Sequence, residues 1–265
     1  MPVLADIEMA RDIILPALTR FADKTLKLQG LLHSGAPLRE IRVDDLQSPR
    51  AVLIKQGSFY SMSAEDPECA KHLLTELNWQ WSNPLGFAGV PEEFVDVIAS
   101  FADIEWSQPC YQYHLPRDVS LAPLREIVDG VASLGTVGAQ YADQVLAYWP
   151  YGEQGNPEDQ RFIARRLETG FSVGFYDEGE LVAWALTGDD LSMGMMHTLE
   201  THRRQGIAAK VTSQLTLALC EEHITPYCYV VAGNEPPLGL LTQLGYVQGE
   251  GRYFWLGTKP KTGRD

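Results

Sequence analysis

Basic side chains are scarce in this chain: 21 Lys and Arg stand against 35 Asp and Glu, giving a net charge of −14 and a pI near 4.8. Such a field repels phosphate backbones and anionic bilayers, so no nucleic-acid or membrane partner is expected. It would favour an amine substrate, and it also serves solubility. Cysteine is equally sparse. Cys69, Cys110, Cys220 and Cys228 lie far apart with no C-x-x-C pair, which argues against a zinc knuckle, a redox motif and a disulfide framework. They read as reduced, mostly buried thiols, and no metal site is expected. No window of 18 apolar residues occurs, so no membrane span is expected. The first residues, MPVLADIEMARDII, mix acids into the apolar positions and lack a basic start, unlike a secretory signal. A cytoplasmic location is the expectation. The chain also lacks G-x-S-x-G and G-x-G-x-x-G, so serine-hydrolase and dinucleotide-reductase chemistry have no motif to stand on.

What is present is ordinary soluble composition, 45% hydrophobic and 21% charged over 265 residues, enough for one or two domains. Residues 4–32 place Leu4, Ile7, Ile14, Leu18, Phe21 and Leu26 at helical spacing, interrupted by Pro16. Short strand-like runs follow at 41–43, 51–55 and 57–62. Asp66-Pro67 opens a helix towards Leu77, Trp79 and Trp81 read as core plugs two residues apart, and Pro91–Phe101 reads as a second helix. Cys110–Leu115 alternates as a strand. These elements predict an N-terminal α/β domain over 1–116.

Residues 116–123, PRDVSLAP, serve as a join. Helical stretches are expected near 124–134 and 138–148, then a Gly- and aromatic-rich loop at 149–157 suited to covering a site. A helix over 158–168 carries Arg161, Arg165 and Arg166, read as a solvated face. Strand-like runs at 171–176 and 181–186 flank Asp177-Glu178-Gly179-Glu180, a hairpin signal, and Asp189-Asp190 turns the chain into a third strand, 191–199.

The organising stretch comes next. After the apolar run Met193–Leu199, a polar turn leads into Ile207, Val211, Leu215 and Leu219, which repeat every four residues as one helix face. A strand that feeds a helix through a turn leaves unpaired N–H groups at the helix start, an anion site reinforced by the helix dipole. The turn reads Arg203-Arg204-Gln205-Gly206-Ile207-Ala208, an R-x-x-G-x-A pattern in which Gly206 admits a phosphate close to the backbone. Beyond it, 226–231 is a short strand, 234–244 a helix ended by Gly245, and 246–248 and 252–256 the last two strands.

The R-x-x-G-x-A turn, together with Val182–Leu186, His197–Leu199, Tyr229–Val231, Asn234 and Leu244–Tyr246 in that order, resembles the GCN5-related N-acetyltransferase (GNAT) superfamily. More narrowly it is similar to the glycine N-acyltransferase-like branch. The resemblance covers about residues 125–258. It implies an α/β fold with a mixed, mostly antiparallel sheet flanked by helices, the GNAT domain occupying 125–265. The N-terminal domain would then be a smaller, degenerate GNAT-like unit. It further implies acetyl-CoA or another acyl-CoA as co-substrate. Met196, His197 and Thr198 correspond to the strand segment that pairs with the pantetheine arm. Arg203 opens the turn, the backbone of Arg204, Gln205, Gly206, Ile207, Ala208 and Ala209 cradles the diphosphate, and Asn234 contacts the cofactor. Between the two flanking strands the family splays its sheet around the acyl chain, where Met195, Met196 and Leu241 would lie.

The implied activity is acyl transfer to a primary amine of a small molecule or amino acid. A catalytically weakened CoA-binding module and a protein lysine acetyltransferase are the alternatives. The chain departs from the family where proton transfer occurs: Leu241 occupies the usual tyrosine position and Ser192 the usual glutamate position. Asp190, His197, Glu200 and Tyr229 are the candidate bases, each with a structural role open to it: turn former, strand side chain, helix-start charge, strand side chain. His197 titrates nearest neutral pH.

Overall fold

The computed structural model describes residues 3–4, 7–79 and 84–261. In chain order the elements begin with β1 (Val3–Leu4), α1 (Ile7–Thr19), α2 (Leu26–His33), β2 (Leu38–Val43), β3 (Ala51–Gln56) and β4 (Phe59–Ala64). Next come α3 (Pro67–Thr75), β5 (Gly86–Pro91), α4 (Val95–Phe101), β6 (Asp103–His114), α5 (Ala122–Val128) and β7 (Leu134–Gly135). Then follow α6 (Ala142–Ala147), α7 (Pro157–Thr169), β8 (Ser172–Asp177), β9 (Glu180–Thr187), β10 (Met193–Thr198) and α8 (Ile207–Glu221). The chain ends with β11 (Tyr227–Val231), α9 (Pro236–Gln243), β12 (Val247–Gln248) and β13 (Tyr253–Lys259). Among the described residues no helix is long and apolar enough to cross a membrane. Two compact units form: residues 1–112 with 230–234 and 248–265, and residues 113–229 with 235–247.

In the first unit the strand order is β1-β2-β3-β4-β5-β13-β6, with β11 and β12 paired to β6. The boundary between the units falls inside β6, β11 and β12. The β4–β5 pair is parallel, and β13 runs antiparallel to both of its neighbours, β5 and β6. Alternate residues of β3 serve opposite faces, as the two-residue period of a strand demands. Leu53 packs with Tyr60, Phe87, Leu73 and Ile98 on the face covered by α3 and α4. Val52 and Ile54 join Ile14, Leu31 and Ile41 on the face covered by α1 and α2. Helix α3 starts where expected because the Asp66 carboxylate accepts the Cys69 N–H at 2.8 Å. Trp79 does plug this core, stacked on Phe101 and Phe87 at ring separations of 5.2 and 6.1 Å. Its indole N–H donates to Leu74 O. Trp81 lies outside the described residues.

The second unit carries an antiparallel sheet in the order β10-β9-β8-β7. The β8–β9 hairpin closes through Glu178 and Gly179, both left-handed at φ 50° and 89°, the backbone that a tight two-residue turn requires. Trp184, 1% exposed, fills the centre of a cluster with Val137, Val145, Ile163, Leu167 and Leu186. Burial of such a side chain stabilises by roughly 1.5–3 kcal/mol.

Several expectations are corrected. Leu4 sits not on a helix but in β1, paired with Arg42. The helix expected over 124–134 stops at Val128, because Gly130 turns the chain at φ 67°. Strand β5 was not foreseen, since GFAGVP has two glycines and no alternation; five of its six residues are buried, as in a strand covered on both faces. Arg165 and Arg166 are not a solvated face. Arg166 is 1% exposed and donates to Thr187 O at 2.9 Å and to Asp189 Oδ1 at 3.4 Å, while Arg165 grips both Asp189 oxygens at 2.5 and 2.8 Å. Burial pulls the Arg166 guanidinium below its usual range, and Asp189 opposes that shift.

Candidate functional site

The strand that leads to the anion turn is irregular at the point that matters. Along β10, Met193 and Gly194 pair with Thr187 and Leu186, and His197 and Thr198 with Trp184 and Ala183, so one extra residue is accommodated between Gly194 and His197. Met195 absorbs it at φ 48°. The bulge re-aims the side chains around it. Met193 is buried, its sulfur 3.0 Å from the donating Tyr246 hydroxyl, which also lies 2.7 Å from Thr216 Oγ1 on α8. Met196 is 39% exposed with its sulfur 3.6 Å from Thr212 Oγ1. Met195 packs instead against the Trp184 cluster, and Leu241 is buried on α9. In its own sheet β10 is an edge strand, and β11 pairs elsewhere. One row of β10 backbone groups therefore lacks a strand partner among the described residues, a template for an extended, amide-bearing arm.

After β10 the chain makes one 3-10 turn, Glu200–His202, and then alternates hand. Arg203 is extended, Arg204 is left-handed at φ 60°, and Gly206 is left-handed at φ 73°. Successive backbone amides in such alternating conformations converge into an anion-binding concavity. Gly206 caps α8 without any side-chain hydrogen bond, and the first intrahelical bond from the cap is Lys210 N–H to Gly206 O. The N–H groups of the first helical turn, Ile207 to Ala209, are thus left for a ligand. Buried Ile207 anchors the helix start in the core, whereas residues 203–206 are exposed. Arg203 Nε donates to Thr198 O at 3.1 Å and Gln205 Nε2 to Thr201 O at 3.2 Å, ties that brace the turn from outside.

The proposed bases are not gathered in one place. Asp190 is buried in the β9–β10 turn, where Oδ1 accepts the Ser192 N–H at 3.1 Å and the Ser192 hydroxyl at 2.5 Å. Its backbone carbonyl accepts the Tyr227 hydroxyl at 2.7 Å. Its role as a turn former is therefore visible. Tyr229 is half-buried with its ring edge-on to Tyr227 at 5.7 Å. His197 lies at the other end of β10, stacked on Tyr148 at 4.1 Å and tilted against Trp184 at 5.2 Å. Burial, followed by the charge of Arg203, pushes its imidazole below the usual histidine range. Glu200 is exposed beside Arg203, 3.8 Å away. Asn234 forms the turn after β11, its N–H donating to Val231 O at 2.9 Å, and is grouped with the first unit.

Two features were missed by sequence reasoning, one beside the candidate site and one in the core beneath the sheet. Tyr148 ends α6 and covers His197, although it is 48% exposed. Only its place at the start of the aromatic loop hinted at that. The Arg165–Arg166–Asp189 group could have been noticed, because Arg166 falls on the same helical stripe as Ile163 and Leu167.

A four-stranded antiparallel sheet whose bulged edge strand runs into a left-handed turn and a helix defines the GNAT class of fold. Solved structures share this architecture. A Drosophila protein superposes with a TM-score of 0.75 at 15% identity, covering 98% of both chains. A tandem GNAT protein from the clavulanic acid biosynthesis pathway superposes with a TM-score of 0.55 at 13% identity, covering 100% of this chain and 99% of the other. A GNAT-family acetyltransferase from Colwellia psychrerythraea gives 0.54 at 14% identity, covering 98% and 99%. In sequence, residues 172–255 match the family model of FR47-like proteins. Human glycine N-acyltransferase-like protein 2 is 30% identical over 110 residues, 41% of this chain and 36% of that protein. The match thus spans about a third of the relative's length. The resemblance to the GNAT superfamily and its glycine N-acyltransferase-like branch holds.

Proposed function

We propose that this chain is an acyl-CoA-dependent N-acyltransferase that passes an acyl group to a primary amine of a small molecule or amino acid. One observation carries the reading: the uncapped start of α8, preceded by left-handed Arg204 and Gly206, adjoins the free edge of the bulged strand β10. A Cβ placed on Gly206 meets nothing within 4 Å, so the turn has open space where a diphosphate would rest. In this reading the amides of Arg204 to Ala209 hold the diphosphate, with Arg203 at the rim. Met196 to Thr198 offer backbone partners to the pantetheine arm. When bound, acyl-CoA supplies a thioester carbonyl open to attack by an amine.

The chain's own contribution to the chemistry is placement and one proton. His197, which burial and Arg203 push below the usual histidine range, is the group proposed to take the proton that the amine sheds once it has attacked the thioester carbonyl. An α-amino group with a pKa of about 8 places only a small demand on that base. Asp190 is committed to Ser192, and Tyr229 remains a secondary candidate. Positioning supplies much of the rate.

A second reading has an observation of its own. Leu241, 4% exposed and apolar, cannot protonate the departing thiolate, which favours a CoA-binding module of weak turnover. Thiol release from acetyl-CoA and longer thioesters against a panel of amines, beside calorimetric titration with coenzyme A, separates the two. Binding with release supports the enzyme, binding without release supports the module, and no binding removes both.

A further inference from the structure

At the far end of α8 the second unit bears a half-open cavity of about 340 Å³. Fifteen helical residues at about 1.5 Å each put it roughly 22 Å from the anion turn, so it is separate from the site described above. Its volume lies within the range of small-molecule sites. The floor is Leu115 and Pro226, joined by the Leu115 N–H to Pro226 O bond at 2.9 Å. Val119 and Ile224 form apolar walls.

Its lining includes the positive charge of Arg117 and no acidic side chain. Arg117 Nε donates to Thr225 Oγ1 at 3.3 Å, which steadies the guanidinium, and its terminal nitrogens enter no other hydrogen bond or ion pair among the described residues. A guanidinium held by its Nε presents a flat pair of donors matched to a carboxylate. His223 lies beside it, in a left-handed conformation at φ 59°. Its N–H donates to Cys220 O and that of Ile224 to Leu219 O, both at 3.0 Å. Those bonds occupy helix-end carbonyls that would otherwise repel an anion. Glu221 and Glu222 are exposed and do not line the cavity.

We propose that this cavity is a second small-molecule site, which takes a compact carboxylate with an apolar body. The carboxylate pairs with Arg117, and the body lies against Leu115, Val119 and Ile224. The test uses hexanoate on the full chain without any coenzyme, with hexylamine and hexan-1-ol as controls of equal body and different head. Calorimetry is expected to give a Kd below about 1 mM for hexanoate and weaker binding of at least tenfold, on the order of ten, for both controls. Arg117→Gln, an exposed change that leaves the floor intact, should weaken hexanoate about tenfold, and Arg117→Lys should restore only part of the loss. Val119→Trp should abolish hexanoate binding while leaving coenzyme A binding at the other end of α8 unchanged. Hexanoate that fails to bind at about 10 mM, binds no better than hexylamine, or binds Arg117→Gln as well as the parent chain would overturn the proposal.

Discussion

Asp189→Ala removes the carboxylate that both Arg165 and Arg166 contact in the second unit, and its cost can be worked from geometry. Arg166 is 1% exposed, so its charge would remain buried, its hydrogen bonds among the described residues reduced to those with Thr187, through the carbonyl at 2.9 Å and the hydroxyl at 3.1 Å. Removal of one member of a buried pair costs about 3–5 kcal/mol, against a total stability of about 5–15 kcal/mol for a domain. In a unit of about 130 residues, with an unfolding entropy near 2.1 cal/mol/K per residue, this lowers Tm by about 11–18 °C. Arg166→Met should be milder, about 1–2 kcal/mol, because the charge leaves together with its desolvation cost and Asp189 keeps its two bonds from Arg165. Urea unfolding followed by circular dichroism measures both. If Arg166→Met costs as much as Asp189→Ala, or Asp189→Ala costs under about 1 kcal/mol, the interaction is not governed by an uncompensated buried charge.

Gly206→Asp should separate folding from binding. Aspartate enters the left-handed region at a cost of about 1 kcal/mol, so Tm should fall by only about 4 °C, whereas its charge at the anion turn should weaken coenzyme A binding at least tenfold, on the order of 1.4 kcal/mol. The rate of acyl transfer should fall on the acid side as His197 takes up a proton. Because its pKa is depressed, that limb should lie below about 6.5, and Arg203→Ala, by removing a positive charge, should move it upward. A limb that stays in place in Arg203→Ala while NMR titration of His197 shifts would remove His197 as the base. Tyr246→Phe deletes the hydroxyl shared by Thr216 and Met193 and should cost about 1 kcal/mol by urea unfolding. A neutral result there would mean that the β10–α8 seam does not depend on that group.

The local elements around the anion turn were legible in the chain alone. Period-two runs, the Glu178-Gly179 hairpin, the four-residue repeat of α8 and Gly245 at a helix end are short-range signals, each written in neighbouring residues, and each appears at its expected place. The position of the turn followed for the same reason, since Gly206 is demanded by its own backbone angle. Three features were decided only in three dimensions. The strand β13 enters between β5 and β6, a pairing across more than 140 residues that no local pattern encodes. Arg166 reads as a surface charge until Asp189 and Thr187 are folded against it, because the burial of a charge depends on partners distant in the chain. His197 becomes a depressed imidazole only when Tyr148 and Trp184 close on its ring, so its chemistry belongs to the packing and not to the residue alone.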